Sequence, residues 1–570
     1  MVELKKLIKE IDGCHWNNIL RICDLTMKKF YCIEFLKFNF TYKIGSLDMI
    51  YMHFYIPVNY LPKYENSNSV FLEDYILRQF TSELGRLNDE IYGPNNSQKE
   101  THGMVKYQEC DNRIIRRNSI FLDEEKNELN YYIKVKLPLV NNKISAKSVL
   151  QYITKITLII RNVIKNIDVY DYEEKKIIYD NQLLIRKCLT ENDYVCFIAN
   201  NSILPRFNGT DQKDVNAIPF KSPESFQIEI PLLNGEYIYG MGIKKGITSI
   251  IGGAFSGKST LLNAIENGIY NHIKGDGREY CITDDTAVKV SAEDGRYISN
   301  LNISSFFTKS LVPDIENFNT LVASGSISQA ANIIEAINGN SRLILIEEDS
   351  SATNFLIKDE IMREIINADA SIPFTDRIKD IEKIGLSVIL VTGATSKFLE
   401  YSNQIIKFEK YICYDVNNLD IKLKSKIDEE DDCNIPMWKS NRRINIENKT
   451  VKFILFKKIN VVTNHLVFLD EYEVNLKNLE SIKNFYQINS LCFSAIHQLG
   501  NEYYMNKELI NNCYKITSIF NKKEWYEIAL SNFYKYEYFL EEVRPIDVYR
   551  FINRIRGIKF EKNNNLEEVI

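Results

Sequence analysis

The stretch Gly252-Gly-Ala-Phe-Ser-Gly-Lys-Ser259 decides the fold that this sequence predicts. It fits the phosphate-loop pattern G-x-x-x-x-G-K-[ST]. The apolar strand Thr248–Ile251 precedes it, and a helix-like run that begins at Thr260 follows it. Glycines let successive backbone N–H groups turn toward one anion, and the helix N-terminus adds its dipole. The predicted nucleotide-binding residues are Gly252, Gly253, Ala254, Phe255, Ser256, Gly257, Lys258, Ser259 and Thr260.

The last residues of this loop indicate the ligand. Lys258 would reach the β- and γ-phosphates of a nucleotide, and the Ser259 hydroxyl would hold Mg²⁺. We therefore predict ATP and Mg²⁺ as the cofactors of the site.

Two neighbouring carboxylates follow a second apolar run. Leu343–Ile346 leads directly into Glu347 and Glu348. An apolar strand that ends in acids at the carboxyl edge of a parallel sheet is the Walker B arrangement. We predict that Glu347 and Ser259 bind the metal and that Glu348 is the catalytic residue, which orients or activates water. Most such strands end in Asp, so Glu347 is a departure that adds one methylene. A solvent-facing acidic strand end is the alternative interpretation.

A run of small residues precedes the predicted helix at Ala331–Ala336. Ser324 would cap that helix, and Gly325 and Ser326 would expose N–H groups to an anion. Taken alone, this pattern is an ordinary helix cap. Ser324 precedes Glu347 by 23 residues, however, which is the spacing expected between a signature serine and a Walker B acid. The predicted D-loop downstream is Ser351, Ala352, Thr353 and Asn354.

These residues resemble the family known as the predicted ATPases of the ABC class, a branch of ABC-type P-loop proteins without transporter subunits. Besides the phosphate loop, the resembling stretches are Phe197–Arg206, Pro219–Ser225, Gly240–Ile243, Ile269–Glu279, Ala292–Arg296, Ala323–Ile333, Ile346–Phe355, Arg544-Pro545 and Asn553–Gly557. The resemblance implies a dimer that holds two nucleotides between its subunits, with the phosphate loop of one facing Ser324, Gly325 and Ser326 of the other. It also implies flanking domains, through which some members are associated with RNA.

The predicted fold class is α/β, with an ABC-type P-loop core of mostly parallel sheet and flanking helices. The core shows short apolar strands at Gly246–Ile251, Leu343–Ile346 and Ser387–Val391 that alternate with helices. We predict a mixed α/β N-terminal domain over 1–200, the ATPase domain over 201–425 and a mainly helical C-terminal domain over 434–570. Asn200–Pro219 and Ser425–Cys433 read as linkers, and Val451–Phe456 as a strand.

The sequence departs from transporter-type cassettes at the switch position. Gly393 stands where those proteins carry a switch histidine, and Ser304–Phe307 occupies the region of the Q-loop without a clear glutamine. Sensing of the γ-phosphate would then fall to Thr392 or to another residue. Gly393 and Glu347 together predict slow hydrolysis.

Several other residues admit two interpretations. His272 and Arg278 would contact the nucleotide or a partner subunit, or stabilise an insert. Phe226 would stack on adenine or pack in the core. Two basic groups could bind RNA with nearby Tyr107, Tyr131 and Tyr132, or lie on solvated faces: Lys106, Arg113, Arg116, Arg117, Lys134 and Lys136 in the N-terminal domain, and Arg550, Arg554, Arg556 and Lys559 at the C-terminus.

Composition excludes several classes of protein. The chain has 570 residues, a net charge of −5 and 45% hydrophobic residues, which is ordinary globular composition. The net negative charge is concentrated in residues 221–430, which contain 30 acidic and 21 basic residues. No apolar run reaches the roughly 20 residues of a membrane helix, and the eleven cysteines contain no C-x-x-C pair. We expect a cytoplasmic protein without disulfides, structural zinc or membrane contact.

Three functions remain open from the sequence. The first is a dimeric ATPase whose flanking domains clamp a macromolecule, with RNA the favoured one. The second is a nucleotide-gated scaffold for a protein partner, with hydrolysis as a slow timer. The third, a small-molecule kinase, would not need Ser324–Gln329 at its observed spacing.

Overall fold

The chain forms two compact units in a computed structural model. The structure describes residues 2–23, 30–41, 49–64, 69–92, 103–309, 312–366, 369–417, 438, 442–444, 459–499, 508–521, 524–525 and 539–562. The first unit comprises Met1–Ile177 and Ser518–Glu542, and the second comprises Ile178–Thr517 and Val543–Ile570. Among the described helices, none is long and apolar enough to cross a membrane.

The first unit contains a six-stranded antiparallel sheet and several helices. The strands of the whole unit are β1 (Tyr31–Ile33), β2 (Leu36–Thr41), β3 (Ile50–Pro57), β4 (Met104–Lys106), β5 (Arg113–Ile114), β6 (Ile120–Asp123), β7 (Glu128–Lys136), β8 (Leu139–Val140) and β9 (Lys143–Ile144). Its helices are α1 (Val2–Glu10), α2 (Ser69–Tyr92), α3 (Ala146–Lys165) and the start of α4 (Val169–Glu191). The strand order of the sheet is β1-β2-β3-β7-β4, and β6 also pairs with β7.

Aromatic side chains fill the core of the first unit. Phe38 pairs in register with Phe54, and Phe54 with Tyr131. Phe80 from α2 stacks on Tyr131 with ring centroids 4.6 Å apart. All four rings are buried. This aromatic layer packs α2 against the sheet, which is the helix-on-sheet packing of a mixed α/β region.

The prediction of a solvent-exposed basic face in this unit is wrong for Arg113 and Arg117. Arg117 is buried and donates to Asp74 on α2 and, at 2.9 Å, to Glu541. Arg113 is also buried, and it donates to Asp111 and Glu541. Because both arginines are buried and paired with carboxylates, they form internal ion pairs and present no charge to solvent.

The second unit has a six-stranded central sheet. The strands of the whole unit, in chain order, are β10 (Tyr194–Ala199), β11 (Gln227–Pro231), β12 (Tyr237–Lys244), β13 (Ile247–Gly252), β14 (Asn271–His272), β15 (Cys281–Thr283), β16 (Val288–Val290), β17 (Arg296–Leu301), β18 (Phe318–Ala323), β19 (Leu343–Glu347), β20 (Ser387–Thr392), β21 (Gln404–Glu409), β22 (Ile412–Asp415), β23 (Arg442–Ile444), β24 (Ile459–Thr463), β25 (Leu466–Leu469), β26 (Tyr472–Asn475) and β27 (Phe560–Lys562). The central sheet runs β16-β19-β20-β13-β21-β22, and all its pairs are parallel except β21 with β22. This confirms the mostly parallel α/β core.

The helices of the second unit are α5 (Lys258–Asn267), α6 (Gly325–Asn338), α7 (Thr353–Leu356), α8 (Glu360–Ile365), α9 (Phe374–Lys383), α10 (Phe485–Leu499), α11 (Leu509–Thr517) and α12 (Pro545–Ile552). Three of them, α5, α6 and α9, pack against strands of the central sheet. The strands β19 and β20 are buried nearly throughout, and their apolar side chains join those of α6 and α9 in one cluster. Burial on both faces explains why these strands read as continuous apolar runs.

The described part of the second unit also contains smaller sheets, among them the two-stranded pairs β17-β18 and β23-β27. The order β11-β12-β10-β15 forms an antiparallel sheet, and β24-β25-β26 forms a meander. The charged linker Ser425–Cys433 and the predicted strand Val451–Phe456 lie outside the described residues. The division into domains at 200, 425 and 434 stays a prediction.

Candidate functional site

The phosphate loop connects β13 to α5 at the carboxyl edge of the central sheet. A Cβ at Gly252 would overlap the backbone carbonyl oxygen of Phe408 and would lie 2.7 Å from Ser256 Oγ, so only glycine fits there. Gly257 precedes α5 with φ 111°, in the left-handed region that favours glycine. Phe255 also has a positive φ, 58°, and is 93% exposed. The loop therefore has the tight backbone turn that its sequence predicts.

The loop offers hydrogen-bond donors that suit a phosphate. Ser256 Oγ is buried and has no hydrogen-bond partner among the described residues. No side chain caps the N-terminus of α5, so its first N–H groups can point at an anion. Lys258 Nζ donates to Gly252 O at 2.6 Å and to Gly253 O at 2.7 Å, across the mouth of the loop. These residues fit the phosphates of a nucleotide.

Glu347, at the end of β19, contacts the start of α5. Ser259 Oγ donates to Glu347 Oε1 at 2.7 Å. The structure thus brings together the two predicted metal-binding side chains, although they are 88 residues apart. Glu347 Oε2 lies 3.1 Å from Lys289 Nζ, and both side chains are largely buried. A hydroxyl and a carboxylate oxygen side by side are ligands that suit Mg²⁺.

Lys289 is a site residue that sequence reasoning missed. It lies on β16, and its Nζ also pairs with Glu480 Oε2 at 2.9 Å. Burial alone would lower the pKa of Lys289, but Glu480, Glu266 and Glu347 outweigh burial and raise it. The lysine therefore stays charged beside the predicted metal ligand. Its sequence neighbours, Val288 and Val290, gave no signal of this role.

Glu348, the predicted catalytic residue, is held by the loop that follows β20. Its Oε2 accepts from Thr392 Oγ1 at 2.7 Å, from Gly393 N at 2.9 Å and from Ala394 N at 3.2 Å. These donors come from the position where transporter-type cassettes carry the switch histidine. A hydroxyl and two backbone N–H groups thus orient the carboxylate, and its Oε1 remains available to water.

The predicted signature residues start α6. Ser324 is the N-cap residue, but its side chain makes no capping hydrogen bond, so that detail of the prediction is wrong. Ser328 Oγ instead donates to Gly325 O at 2.9 Å. The Ser324 side chain thus leaves the first N–H groups of α6 without a cap, and the Asp294 carboxylate lies close to Gly325.

The D-loop is tied to this helix within the chain. Gln329 Nε2 donates to Ser351 Oγ at 2.9 Å, and Gln329 Oε1 accepts from Ala352 N at 2.8 Å. Ser326 Oγ donates to Asn354 Oδ1 at 3.1 Å. Thr353 starts α7. The signature helix and the D-loop therefore form one hydrogen-bonded surface, in which Gln329 has a role that the sequence did not indicate.

His272 and Arg278 are structural residues of the insert. Asp276 lies 3.1 Å from His272 Nδ1 and also pairs with Arg206. Burial would raise the pKa of Asp276, but His272 and Arg206 lower it to about 2. Arg278 is buried and donates to Leu204 O and to Asn263. Phe226 is buried, which agrees with core packing.

The C-terminal arginines do not form a solvent-exposed stripe. Arg550 and Arg554 are buried. Arg554 donates to Glu293 Oε2 and to Asn332 Oδ1, both at 2.8 Å. Burial, with Arg554 close by, lowers the pKa of Arg550 to about 9. The predicted basic stripe is therefore wrong for Arg550 and Arg554, which pair inside the second unit, whereas Arg556 and Lys559 are exposed.

Comparisons with known proteins agree with this geometry. Residues 169–442 match the family model ABC_ATPase, a P-loop domain. Uncharacterized protein MJ1628 of Methanocaldococcus jannaschii is 39% identical over 261 residues, which are 43% of this chain and 56% of that protein. The chain thus matches little more than half the length of this relative.

Solved structures of ATP-binding cassettes are also similar. The cbiO1 protein of Clostridium perfringens, part of the ABC transporter complex cbiONQ, is 11% identical, with a TM-score of 0.24 over 39% of this chain and 87% of that one. MJ1267, an ATP-binding cassette of an ABC transporter in its ADP conformation, is 12% identical, with a TM-score of 0.24 over 39% of this chain and 89% of that one.

Proposed function

Because this chain contains an ABC_ATPase P-loop domain over residues 169–442, we propose that it binds ATP with Mg²⁺ and hydrolyses it slowly. One observation carries the proposal. Ser259 and Glu347 meet through a hydrogen bond of 2.7 Å beside the phosphate loop, while the next residue, Glu348, is oriented by three donors. Metal ligands and a water-orienting carboxylate beside a phosphate cradle suit phosphoryl transfer to water.

Each residue has one task in this proposal. The loop backbone and Lys258 bind the phosphates, and Ser259 and Glu347 hold the metal ion. Mg²⁺ neutralises charge that develops on the phosphate oxygens. Glu348 orients water through Oε1 and accepts its proton. Thr392 and Gly393 keep that carboxylate in place, and the glycine offers no ionisable side chain to sense the γ-phosphate, which supports a slow rate.

We further propose that the active form is a homodimer with ATP between the subunits. The resemblance implies that the start of α6 in one subunit faces the phosphate loop of the other, and Ser324 leaves the first N–H groups of α6 without a side-chain cap. Exposed apolar side chains adjoin this surface. Leu321 and Val322, directly before Ala323, are 69% and 67% exposed, and Ile361 and Ile365 on α8 are 65% and 67% exposed. Apolar side chains beside polar residues are typical of protein interfaces.

The proposed role of the dimer is a clamp or switch that ATP closes on a macromolecule. The burial of Arg113, Arg117, Arg550 and Arg554 takes four of the ten basic side chains named for RNA binding away from solvent. A nucleotide-gated scaffold for a protein partner is therefore the role we favour, and RNA binding is an outcome of the test.

The test is size-exclusion chromatography with light scattering on the Glu348→Gln variant, with and without ATP. This variant should bind ATP and retain it, because the amide cannot accept the proton of water. We expect a dimer with ATP and a monomer without it. Lys258→Ala is the matched control, since it removes the phosphate contact and should stay monomeric under both conditions.

A parallel run contains a uridine-rich RNA oligomer. A dimer that elutes without the oligomer would support the scaffold, and co-elution that weakens steeply with salt would restore the RNA clamp. A monomer under all conditions would overturn the dimer. Absence of phosphate release from the wild-type protein in a sensitive assay would overturn the ATPase activity.

A further inference from the structure

Glu347 has an internal cation as its partner. Its Oε2 lies 3.1 Å from Lys289 Nζ while its Oε1 accepts from Ser259. The exposed fractions of the two side chains are 13% for the lysine and 15% for the glutamate. The pair is thus shielded from most of the solvent. A shielded ion pair interacts more strongly than one at the surface, because water screens it less.

Strand register fixes this lysine beside the metal-binding edge. The strand β16 runs parallel to β19, with Lys289 opposite Leu345. Residues in register share a face of the sheet, and Glu347 lies two residues beyond Leu345 on that same face. Lys289 therefore reaches along the sheet to the carboxylate. Aspartate at 347 would be one methylene shorter, so the longer glutamate fits a carboxylate shared between Ser259 and Lys289.

A second carboxylate competes for the same ammonium group. Glu480 Oε2 lies 2.9 Å from Lys289 Nζ and is 30% exposed. Glu266 of α5 lies close to Glu480 and pairs with Lys483 at 3.0 Å. The ammonium group of Lys289 is shared between Glu347 and Glu480. Removing one of these carboxylates would therefore strengthen the ion pair of Lys289 with the other.

We propose that Lys289 is a resident counter-ion of Glu347 that weakens the binding of a divalent cation there and ties it to the arrival of the nucleotide phosphates. The inference rests on the proposed function, because Glu347 must be a metal ligand. Without nucleotide, the ammonium group satisfies the carboxylate. A divalent cation at Glu347 is repelled by the ammonium group of Lys289. The cation therefore binds there only when the nucleotide phosphates add negative charge that offsets this repulsion.

The test measures how much Mg²⁺ strengthens nucleotide binding. The dissociation constant of a fluorescent, non-hydrolysable ATP analogue is determined in EDTA and in Mg²⁺, and their ratio is the magnesium factor. In Lys289→Met the repulsion is gone, so the factor should rise by about tenfold or more, since tenfold corresponds to about 1.4 kcal/mol. Lys289→Arg keeps the charge and should retain the wild-type factor.

Two further variants give the experiment a control and an opposite sign. Lys358→Met removes a lysine of similar burial, 15% exposed, whose ion-pair partner is Asp369 and not a carboxylate of this cluster, and it should leave the factor unchanged. Glu480→Gln removes the competing carboxylate, so Lys289 pairs more strongly with Glu347 and the factor should fall. This variant also carries the test if Lys289→Met does not fold in a thermal melt.

The outcomes separate the two claims. A wild-type protein that binds no analogue overturns the proposed function, and the inference with it. A wild-type protein that binds the analogue, with a factor in Lys289→Met at or below the wild-type value, overturns the inference alone and makes Lys289 a purely structural residue. A factor in Glu480→Gln at or above the wild-type value also overturns it.

Discussion

Replacing Thr392 by valine removes one of the three donors that hold the carboxylate of Glu348. Valine has nearly the shape of threonine, and position 392 is only 1% exposed, so the change deletes a hydroxyl with little loss of packing. The lost bond is 2.7 Å long and its acceptor is an ionised carboxylate. Hydrogen bonds to charged groups contribute about 1.5–3 kcal/mol. Two backbone N–H groups remain, so the loss should lie at the lower end of this range.

A barrier higher by about 1.4 kcal/mol lowers kcat about tenfold. The assay is steady-state phosphate release, measured beside the affinity for a fluorescent ATP analogue. We expect kcat to fall in Thr392→Val while nucleotide affinity stays unchanged, because the hydroxyl contacts Glu348 and no residue of the phosphate loop. Thr392→Ser keeps the hydroxyl and is the matched control.

Two results would refute this reasoning. One is a Thr392→Val protein with wild-type kcat, which would mean that the backbone donors alone orient Glu348 or that Glu348 has no catalytic role. The second is a Thr392→Ser protein as slow as Thr392→Val, which would assign the effect to packing. Glu348→Gln should release no phosphate above background in the same assay, and full activity there would refute the assignment of the catalytic residue itself.

Three further predictions concern stability and the loop. Arg117→Met should lower the free energy of unfolding by about 3–5 kcal/mol, because it leaves buried Glu541 without this partner, and urea unfolding beside the exposed control Arg86→Met measures it. Gly252→Ala should abolish nucleotide binding in a fluorescence titration, because its Cβ would overlap a backbone carbonyl of β21; binding at wild-type strength would contradict the loop geometry. The pKa of Asp276 is about 2 in the folded chain, below its ordinary value, so its stabilisation is present above about pH 4 and is lost as the pH falls toward 2. Melting temperatures of wild type and Asp276→Asn should therefore differ at pH 7 and converge near pH 2, and a constant difference would exclude this carboxylate as the cause.

Local patterns in the sequence predict the central part of the candidate site. The glycines of the phosphate loop and the apolar run before Glu347 describe backbone turns and buried parallel strands, which are set by nearby residues. The structure accordingly brings Ser259 and Glu347 together as predicted.

The partners of charged side chains could not be found in this way. Arg117 reads as part of a basic strand face, and only the fold places Asp74 and Glu541 beside it. Lys289 likewise reads as a lysine in a short apolar strand, and its contact with Glu347 depends on the pairing of β16 with β19. A sequence pattern with a period of two or 3.6 residues reports which face a side chain occupies, but not which distant charge meets it.

The environment of Lys289 extends well beyond the residues that match the P-loop family. Glu480 supplies its second carboxylate. Arg550 of α12 donates to the carbonyl oxygen of Lys289 itself at 3.1 Å, and Arg544 donates to those of Asp285 and Ala287 at 2.8 Å each. The buried Arg550 and the partly buried Arg544 thus donate to carbonyl oxygens at alternate residues, 285, 287 and 289, of β16 and the segment before it. Since a displaced strand would break these three hydrogen bonds, the C-terminal residues hold β16 in place and thereby fix the distance between Lys289 and Glu347.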